Sequence, residues 1–210
     1  MPSRRVHFYL LLAIVIIAAG LGVRALTEQK ASQGKDGFAV VKKGKSTGTA
    51  SIGGAFTAVN QAGEIVSDKT YLGKHVLIFF GYTFCPDVCP TTLTTFSNVM
   101  DLLGKDAEKV QPIFVTIDPL RDTPENLKDY LAHFHKKLIG LTGNTQQIEQ
   151  IKKVFRIYAA KSGQDANDPE DYAMDHSSVS YLMGPDGKFL TFFSYGVEAE
   201  AIATKLKNFL

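Results

Sequence analysis

The sequence predicts an α/β protein built on a mixed β-sheet with helices on both faces. Two patterns carry that expectation. Residues 75–80 and 113–117 are short, continuous apolar runs of strand length, as expected for strands buried on both faces of a sheet. They alternate with longer segments whose apolar residues recur at helical spacing, and the chain closes on two strands, a tight turn between them, and a helix.

Taken in order, the chain opens with Arg4 and Arg5 ahead of an apolar run at 6–23 that only His7 interrupts. As a helix the run would span about 27 Å at roughly 1.5 Å per residue, close to the roughly 30 Å of a bilayer's hydrocarbon core. Slight thinning of the bilayer or snorkelling of the flanking arginines covers the difference. The run therefore reads as a single transmembrane anchor. A cleaved signal peptide is the rival, with Val23-Arg24-Ala25 as its cleavage site, but the run exceeds the usual signal core of about 7 to 15 residues. The arginines keep residues 1–5 in the cytoplasm, so either reading exports the chain beyond Arg24. Residues 24–50 are rich in Lys, Gln, Gly, Ser and Thr and form a linker, and the folded domain is expected at 51–210.

Within that domain, residues 56–59 and 64–66 flank the turn-like Asn60-Gln61-Ala62-Gly63 and predict a hairpin added ahead of the main fold. The strand at 75–80 runs into Gly81-Tyr82-Thr83-Phe84-Cys85-Pro86-Asp87-Val88-Cys89-Pro90, after which Leu93, Phe96, Val99, Met100 and Leu103 mark a helix ending at Gly104. Beyond the strand at 113–117, Thr123-Pro124-Glu125 supplies a cap and a first-turn proline for a helix expected to reach about His135. Residues 138–141 are expected to form a short strand or an extended link, and Thr145 is expected to cap a helix over 146–155. Strands at 179–183 and 189–193 meet at Gly184-Pro185-Asp186-Gly187, and a helix over 198–209 closes the chain. This is the order of a thioredoxin-like fold with additions at its N-terminal end and in its middle.

Composition removes one class of function. With 23 basic against 21 acidic residues and no basic block in the body, there is no electrostatic case for nucleic acid. The two cysteines are too few for a disulfide-dense scaffold, and their spacing makes them one chemical unit at a strand-to-helix turn. If the first helical turn includes Cys85 and Cys89, their sulfurs share a face. The helix N-terminus is expected to lower their pKa values and populate thiolates. Such a pair can ligate a soft metal, exchange disulfides, or sit oxidised as a staple. A staple closing so short a ring contributes only about 2 kcal/mol, and the thioredoxin-type redox motif, Cys-x-x-Cys, is one residue shorter. The longer loop leaves room for a third ligand. Two thiolates with an imidazole suit copper, where zinc ordinarily wants a fourth ligand.

Five histidines are available. His7 lies in the apolar run, and His75 opens a strand beside Lys74, where a solvated edge is expected. His133 and His135 are two apart on the predicted helix, next to Lys136 and Lys137, and read as surface. His176 stands at the end of a polar loop before the strand at 179–183 and is the remaining candidate, although a histidine at such a junction is also often an ordinary hydrogen-bonding residue.

Three blocks of sequence add a resemblance. Phe84-Cys85-Pro86-Asp87-Val88-Cys89-Pro90, then Asp118-Pro119-Leu120-Arg121-Asp122-Thr123-Pro124, then Asp171-Tyr172 through Asp175-His176-Ser177 with Tyr181-Leu182-Met183-Gly184-Pro185-Asp186-Gly187 are similar, in order and spacing, to the Sco/SenC family of copper-binding cytochrome c oxidase assembly proteins. The likeness runs from about residue 54 to residue 210 and implies that Cys85, Cys89 and His176 are copper ligands, for Cu(I), Cu(II) or both. It implies a metallochaperone delivering copper to the copper A site of cytochrome c oxidase subunit II. The alternative is a thiol-disulfide oxidoreductase that reduces the copper A cysteines, or a copper-linked redox sensor. A peroxiredoxin-like reading fits poorly, because Pro86 and Pro90 follow the cysteines rather than preceding them. Asp175, with Asp87 and Asp122, is expected to orient His176 or meet a partner's surface. In an oxidising compartment the cysteines can pair, so loading would call for an exported thiol reductase as well as a copper donor. The few residues ahead of the anchor leave no room for an Arg-rich transit peptide, which favours a bacterial inner membrane with a periplasmic domain over the mitochondrial inner membrane.

Overall fold

The computed structural model describes residues 51–163 and 172–210. The expected anchor at 6–23 and linker at 24–50 lie outside those residues, as do Asp171 and most of the loop before it. Among the described residues, no helix is long and apolar enough to cross a membrane.

The strands are β1 (Thr57–Asn60), β2 (Ile65–Ser67), β3 (His75–Gly81), β4 (Val110–Thr116), β5 (Ile139–Thr142), β6 (Ala159–Ser162), β7 (Ala173–His176), β8 (Val179–Met183) and β9 (Phe189–Ser194). The α-helices are α1 (Val88–Leu103), α2 (Pro124–Leu131), α3 (Thr145–Phe155) and α4 (Ala199–Lys207). Among the described residues, seven strands form one sheet in the order β2-β1-β5-β4-β3-β8-β9, while β6 and β7 pair separately. β3, β4 and β5 run parallel, and β1, β8 and β9 are antiparallel to their neighbours. This is the mixed, thioredoxin-like sheet the sequence predicts, with the β1–β2 hairpin widening one side.

β3 lies inside the sheet, between β4 and β8, so both its edges are hydrogen-bonded. Its adjacent phenylalanines point opposite ways. Phe79 meets Phe96 of α1 at 6.5 Å between ring centroids, and Phe80 meets Phe155 of α3 at 5.2 Å. That two-sided packing is why the run is continuously apolar rather than alternating.

Several expectations are corrected. His75 is buried rather than set on a solvated edge, because β3 is flanked on both sides; burial, with Lys109 nearby, lowers its pKa. α2 stops at Leu131, so His133 and His135 lie in the turn beyond it. His135 is half-buried there: its backbone N–H donates to Ser97 Oγ at 3.0 Å, and its Nδ1 accepts from Lys137 N–H at 3.2 Å. Asn144, not Thr145, caps α3. Its side chain accepts from Gln147 N–H at 2.9 Å, and the Gln147 side chain accepts from Asn144 N–H at 2.9 Å, a reciprocal capping box. The β6–β7 pair was not expected, since its residues show no apolar alternation, and it places His176 at the end of a strand rather than of a loop.

Phe80 is fully buried against Phe155 and Tyr181, with centroids 5.2 and 6.3 Å away. Phe80→Ala should lower unfolding free energy by about 3–5 kcal/mol. Ile65→Ala, at a residue 81% exposed, should stay within about 0.5 kcal/mol. Urea titration of the two variants checks the contrast.

Candidate metal centre

The centre is assembled where β3 and β4 end. The chain leaves β3 at Gly81, turns through residues 82–87, and enters α1 with Cys89 in its first turn. A buried carboxylate fixes that turn. Asp122 accepts from Thr83 N–H at 3.1 Å, from Thr83 Oγ at 2.6 Å and from Thr116 Oγ at 2.5 Å, tying the turn to the end of β4. Burial raises the Asp122 pKa, and its hydrogen bonds to Thr116 and Thr83 oppose that.

A second clamp brings in β7. Arg121 Nε pairs with Asp118 Oδ2 at 2.6 Å, the Tyr172 hydroxyl donates to the same carboxylate at 2.7 Å, and an Arg121 terminal nitrogen donates to the Tyr172 carbonyl at 3.0 Å. The guanidinium also stacks over the rings of Tyr172 and Phe84, 3.7 and 4.6 Å from their centroids. One side chain thus touches the residue before Cys85 and the segment that leads into β7. Met174 N–H adds a 3.2 Å bond to the Tyr82 hydroxyl. Reading the residues alone did not assign Asp118, Arg121 and Tyr172 a role; they stood only in the blocks that carry the family resemblance.

The result is that Cys85, Cys89 and His176 converge. One sulfur from each cysteine and one ring nitrogen lie within 4.8 Å of one another. Cys89 Sγ stands 3.8 Å from His176 Nε2, and Cys89 N–H points at Cys85 Sγ at 3.5 Å. His176 Nδ1 faces the Ser177 carbonyl at 3.2 Å. A carbonyl can only accept, so the proton sits on Nδ1 and Nε2 presents its lone pair to the cysteines. Phe79 and Tyr82 meet the imidazole edge-on, each with centroids 6.1 Å away. Burial lowers the His176 pKa, which keeps the ring neutral and able to ligate.

The cysteines are unequal. Both are free, Cys85 half-exposed and Cys89 fully buried. Burial pushes the Cys89 thiol up, so the helix N-terminus does not prevail there as expected. Its sulfur rests directly on Gly81, where a Cβ would stand 2.5 Å from Sγ and 2.9 Å from the Phe114 ring. Only glycine leaves room for the sulfur.

The three aspartates divide. Asp122 holds the cysteine turn and not His176, through Thr83 and Thr116. Asp175 is exposed and accepts from Ser162 Oγ at 3.0 Å, across the β6–β7 pair, so the Ser177 carbonyl and not this carboxylate orients the ring. Asp87 is exposed at the start of α1, where its carboxylate makes no capping bond to the backbone.

Two soft sulfurs and a neutral imidazole, set among aromatic rings, suit a soft metal ion in low coordination. Fold and site together define a class: a thioredoxin-like protein whose Cys-x-x-x-Cys pair converges with a histidine on a candidate metal site. The SCO1/SenC family model matches residues 44–210, and the chain belongs to that family. It is 44% identical over 157 residues to an SCO2-like protein of Rickettsia felis, covering 75% of this chain and 76% of that one. Bradyrhizobium japonicum ScoI, solved with copper bound, is 45% identical, with a TM-score of 0.70 over 76% of this chain and 99% of its own. BsSco, a member of the Sco family of cytochrome c oxidase assembly proteins in which a disulfide switch was identified, is 26% identical, with a TM-score of 0.58 over 76% and 93% of the two chains.

Gly81→Ala should leave a folded domain with its sulfur displaced, and Cu(I) affinity measured against a chelator should fall by about tenfold or more. The raised Cys89 pKa sets the sign of a pH effect. The thiol is protonated at neutral pH, so metal must displace its proton, and apparent Cu(I) affinity should rise with pH by about tenfold per unit for each proton released. Chelator competition from pH 6 to 8 checks this, and Cys89→Ser should lower the slope by one proton.

Proposed function

We propose that this chain is a copper carrier for cytochrome c oxidase assembly, holding one copper between Cys85 Sγ, Cys89 Sγ and His176 Nε2 and handing it to the copper A site of subunit II. The observation that carries this is the convergence of the three donor atoms within 4.8 Å. Membership of the SCO1/SenC family, the copper held by ScoI and the assembly role of BsSco support it. Copper is here cargo rather than a resident cofactor. Half-exposed Cys85 gives a recipient a sulfur to approach, while buried Cys89 and the fixed imidazole retain the ion until exchange. The apolar run at 6–23 would anchor the carrier in the inner membrane with its centre in the periplasm, where a copper donor and a thiol reductase would serve it.

A second reading is favoured by the same asymmetry. Cys85, as thiolate, could attack a disulfide of the copper A site and form a mixed disulfide. Cys89 would then attack the Cys85 sulfur, releasing the target as a dithiol and leaving Cys85 and Cys89 oxidised. The disulfide switch of BsSco supports a redox-active pair.

The two readings separate in one anaerobic experiment. Reduced protein loaded with Cu(I) is mixed with an apo copper A domain whose cysteines are reduced, and in parallel metal-free reduced protein is mixed with the same domain carrying its disulfide. Movement of copper in the first mixture with no thiol exchange in the second is the expected outcome. Thiol exchange without metal transfer would replace the carrier by the reductase. Protein oxidised at Cys85 and Cys89 should lose tight Cu(I) binding, and equal affinity in both redox states would mean that the sulfurs are not the ligands.

A further inference from the structure

A cavity of about 140 Å³ lies beside the cysteine and histidine site, over the face of the sheet that α1 covers and next to the start of α4. The strand register explains why it is there. Ser180 of β8 stands directly opposite Phe79 of β3 on one side and Phe193 of β9 on the other. Residues opposite one another across strands share a face, and Phe79 packs on Phe96 of α1, so the Ser180 side chain projects toward α1 as well. One small side chain between two phenylalanines leaves the space unfilled. Phe79 forms part of the cavity wall and also meets the His176 ring, with centroids 6.1 Å apart.

The chemistry of the lining is one-sided. Ser180 is 5% exposed and lines the cavity, and its hydroxyl makes no hydrogen bond among the described residues, so a buried polar group faces the space without a protein partner. Three threonines of α1 line it too, and each has its proton committed elsewhere. Thr91 Oγ donates to Asp87 Oδ1 at 3.4 Å, Thr92 Oγ to the Val88 carbonyl at 2.8 Å, and Thr95 Oγ to the Thr91 carbonyl at 3.1 Å. What such a hydroxyl has left to offer is lone pairs. Among the described residues that line the cavity, Glu198 at the exposed rim carries the one charge. The guest that suits this lining donates hydrogen bonds, accepts none, carries positive charge and brings an apolar stem to lie against the phenylalanine rings. An alkylammonium group has all four properties. α4 begins at the rim, and a helix N-terminus by itself favours anions, but Glu198 flanks that terminus and Glu200 lies in its first turn, so two carboxylates already answer it.

We propose that this cavity binds a single primary ammonium group on an apolar stem, with the Ser180 hydroxyl accepting at the floor and Glu198 supplying the opposite charge from the rim. A free amine and a lysine side chain of a partner protein share that chemistry. The volume is suitable, being close to the roughly 150 Å³ of a cavity that takes up benzene. The site is separate from the three candidate copper ligands and goes beyond the copper-carrier reading.

The probe is butylammonium, titrated at constant ionic strength into the isotope-labelled full chain and followed through the backbone amide NMR signals of Thr95, Ser178, Ser180 and Gly196. Butanol and butyrate are the neutral and anionic controls. Butylammonium should bind about tenfold more tightly than either, the difference that one charge-assisted hydrogen bond makes. Glu198→Gln, at an exposed residue, should erase that preference and leave butanol binding within about twofold of wild type. Ser180→Leu fills the floor and should abolish binding of all three while the amide spectrum stays that of a folded chain. Butylammonium binding no tighter than butanol, butyrate binding more tightly than butylammonium, or an undiminished preference in Glu198→Gln would overturn the proposal. A capped tripeptide with lysine at its centre identifies the source: binding as tight as that of butylammonium assigns the site to a partner's lysine, and exclusion of the peptide assigns it to a free amine. None of these measurements uses copper, so their failure leaves the copper reading untouched.

Discussion

The arrangement depends first on one buried carboxylate. Asp122 has no exposed surface, and an unbonded carboxylate there would be prohibitively costly. Its oxygens are matched by Thr83 and Thr116, and its backbone carbonyl accepts from Thr142 Oγ at 2.7 Å. Those bonds join the exit of β3, the end of β4 and the end of β5 at one point. The cysteine turn is thereby fixed at both ends, to the sheet through Thr83 and to α1 through the helix itself.

Asp122 also sits next in sequence to Arg121, whose clamp on Asp118, Tyr172 and Phe84 governs the other half of the centre. The loop after β4 therefore positions both segments that carry the candidate ligands. One residue faces the cysteines and its neighbour faces the approach to β7. A histidine nearly ninety positions from Cys89 is held close to it because both are pinned to the same short loop, not because either has a local preference for that place. The entropic cost of bringing distant segments together is offset by hydrogen bonds and ring stacking at a partly buried site, where each is stronger than in water.

Burial then sets the chemistry. Cys89, His176 and Asp122 all shift toward their neutral forms, each because the charged form is desolvated. For the histidine this is what a ligand requires. For Cys89 it means that burial favours the thiol over the thiolate, against the pull of the helix N-terminus. Cys85, only partly buried, is the more accessible of the two cysteines.

Much of this was legible in the sequence. Continuous apolar runs give the strands that lie inside the sheet, the helical repeat after Cys89 gives α1, and Cys85 and Cys89 are near neighbours in the chain, so their pairing at a strand-to-helix turn comes from local periodicity alone. His176 emerged as the candidate ligand from the residues and as an implied one from resemblance. What the chain could not disclose is set by contacts distant in sequence. The burial of His75 comes from its strand having neighbours on both sides, and β6 and β7 carry no apolar alternation to announce them. The raised Cys89 thiol is a matter of burial, which outweighs the local helix-terminus effect that the sequence does show. The Arg121 clamp and the turning of Asp175 toward Ser162 are likewise tertiary facts. Periodicity tells a residue which face of its own element it occupies; which side chains meet across elements, and what burial does to their protons, is decided only when the elements pack.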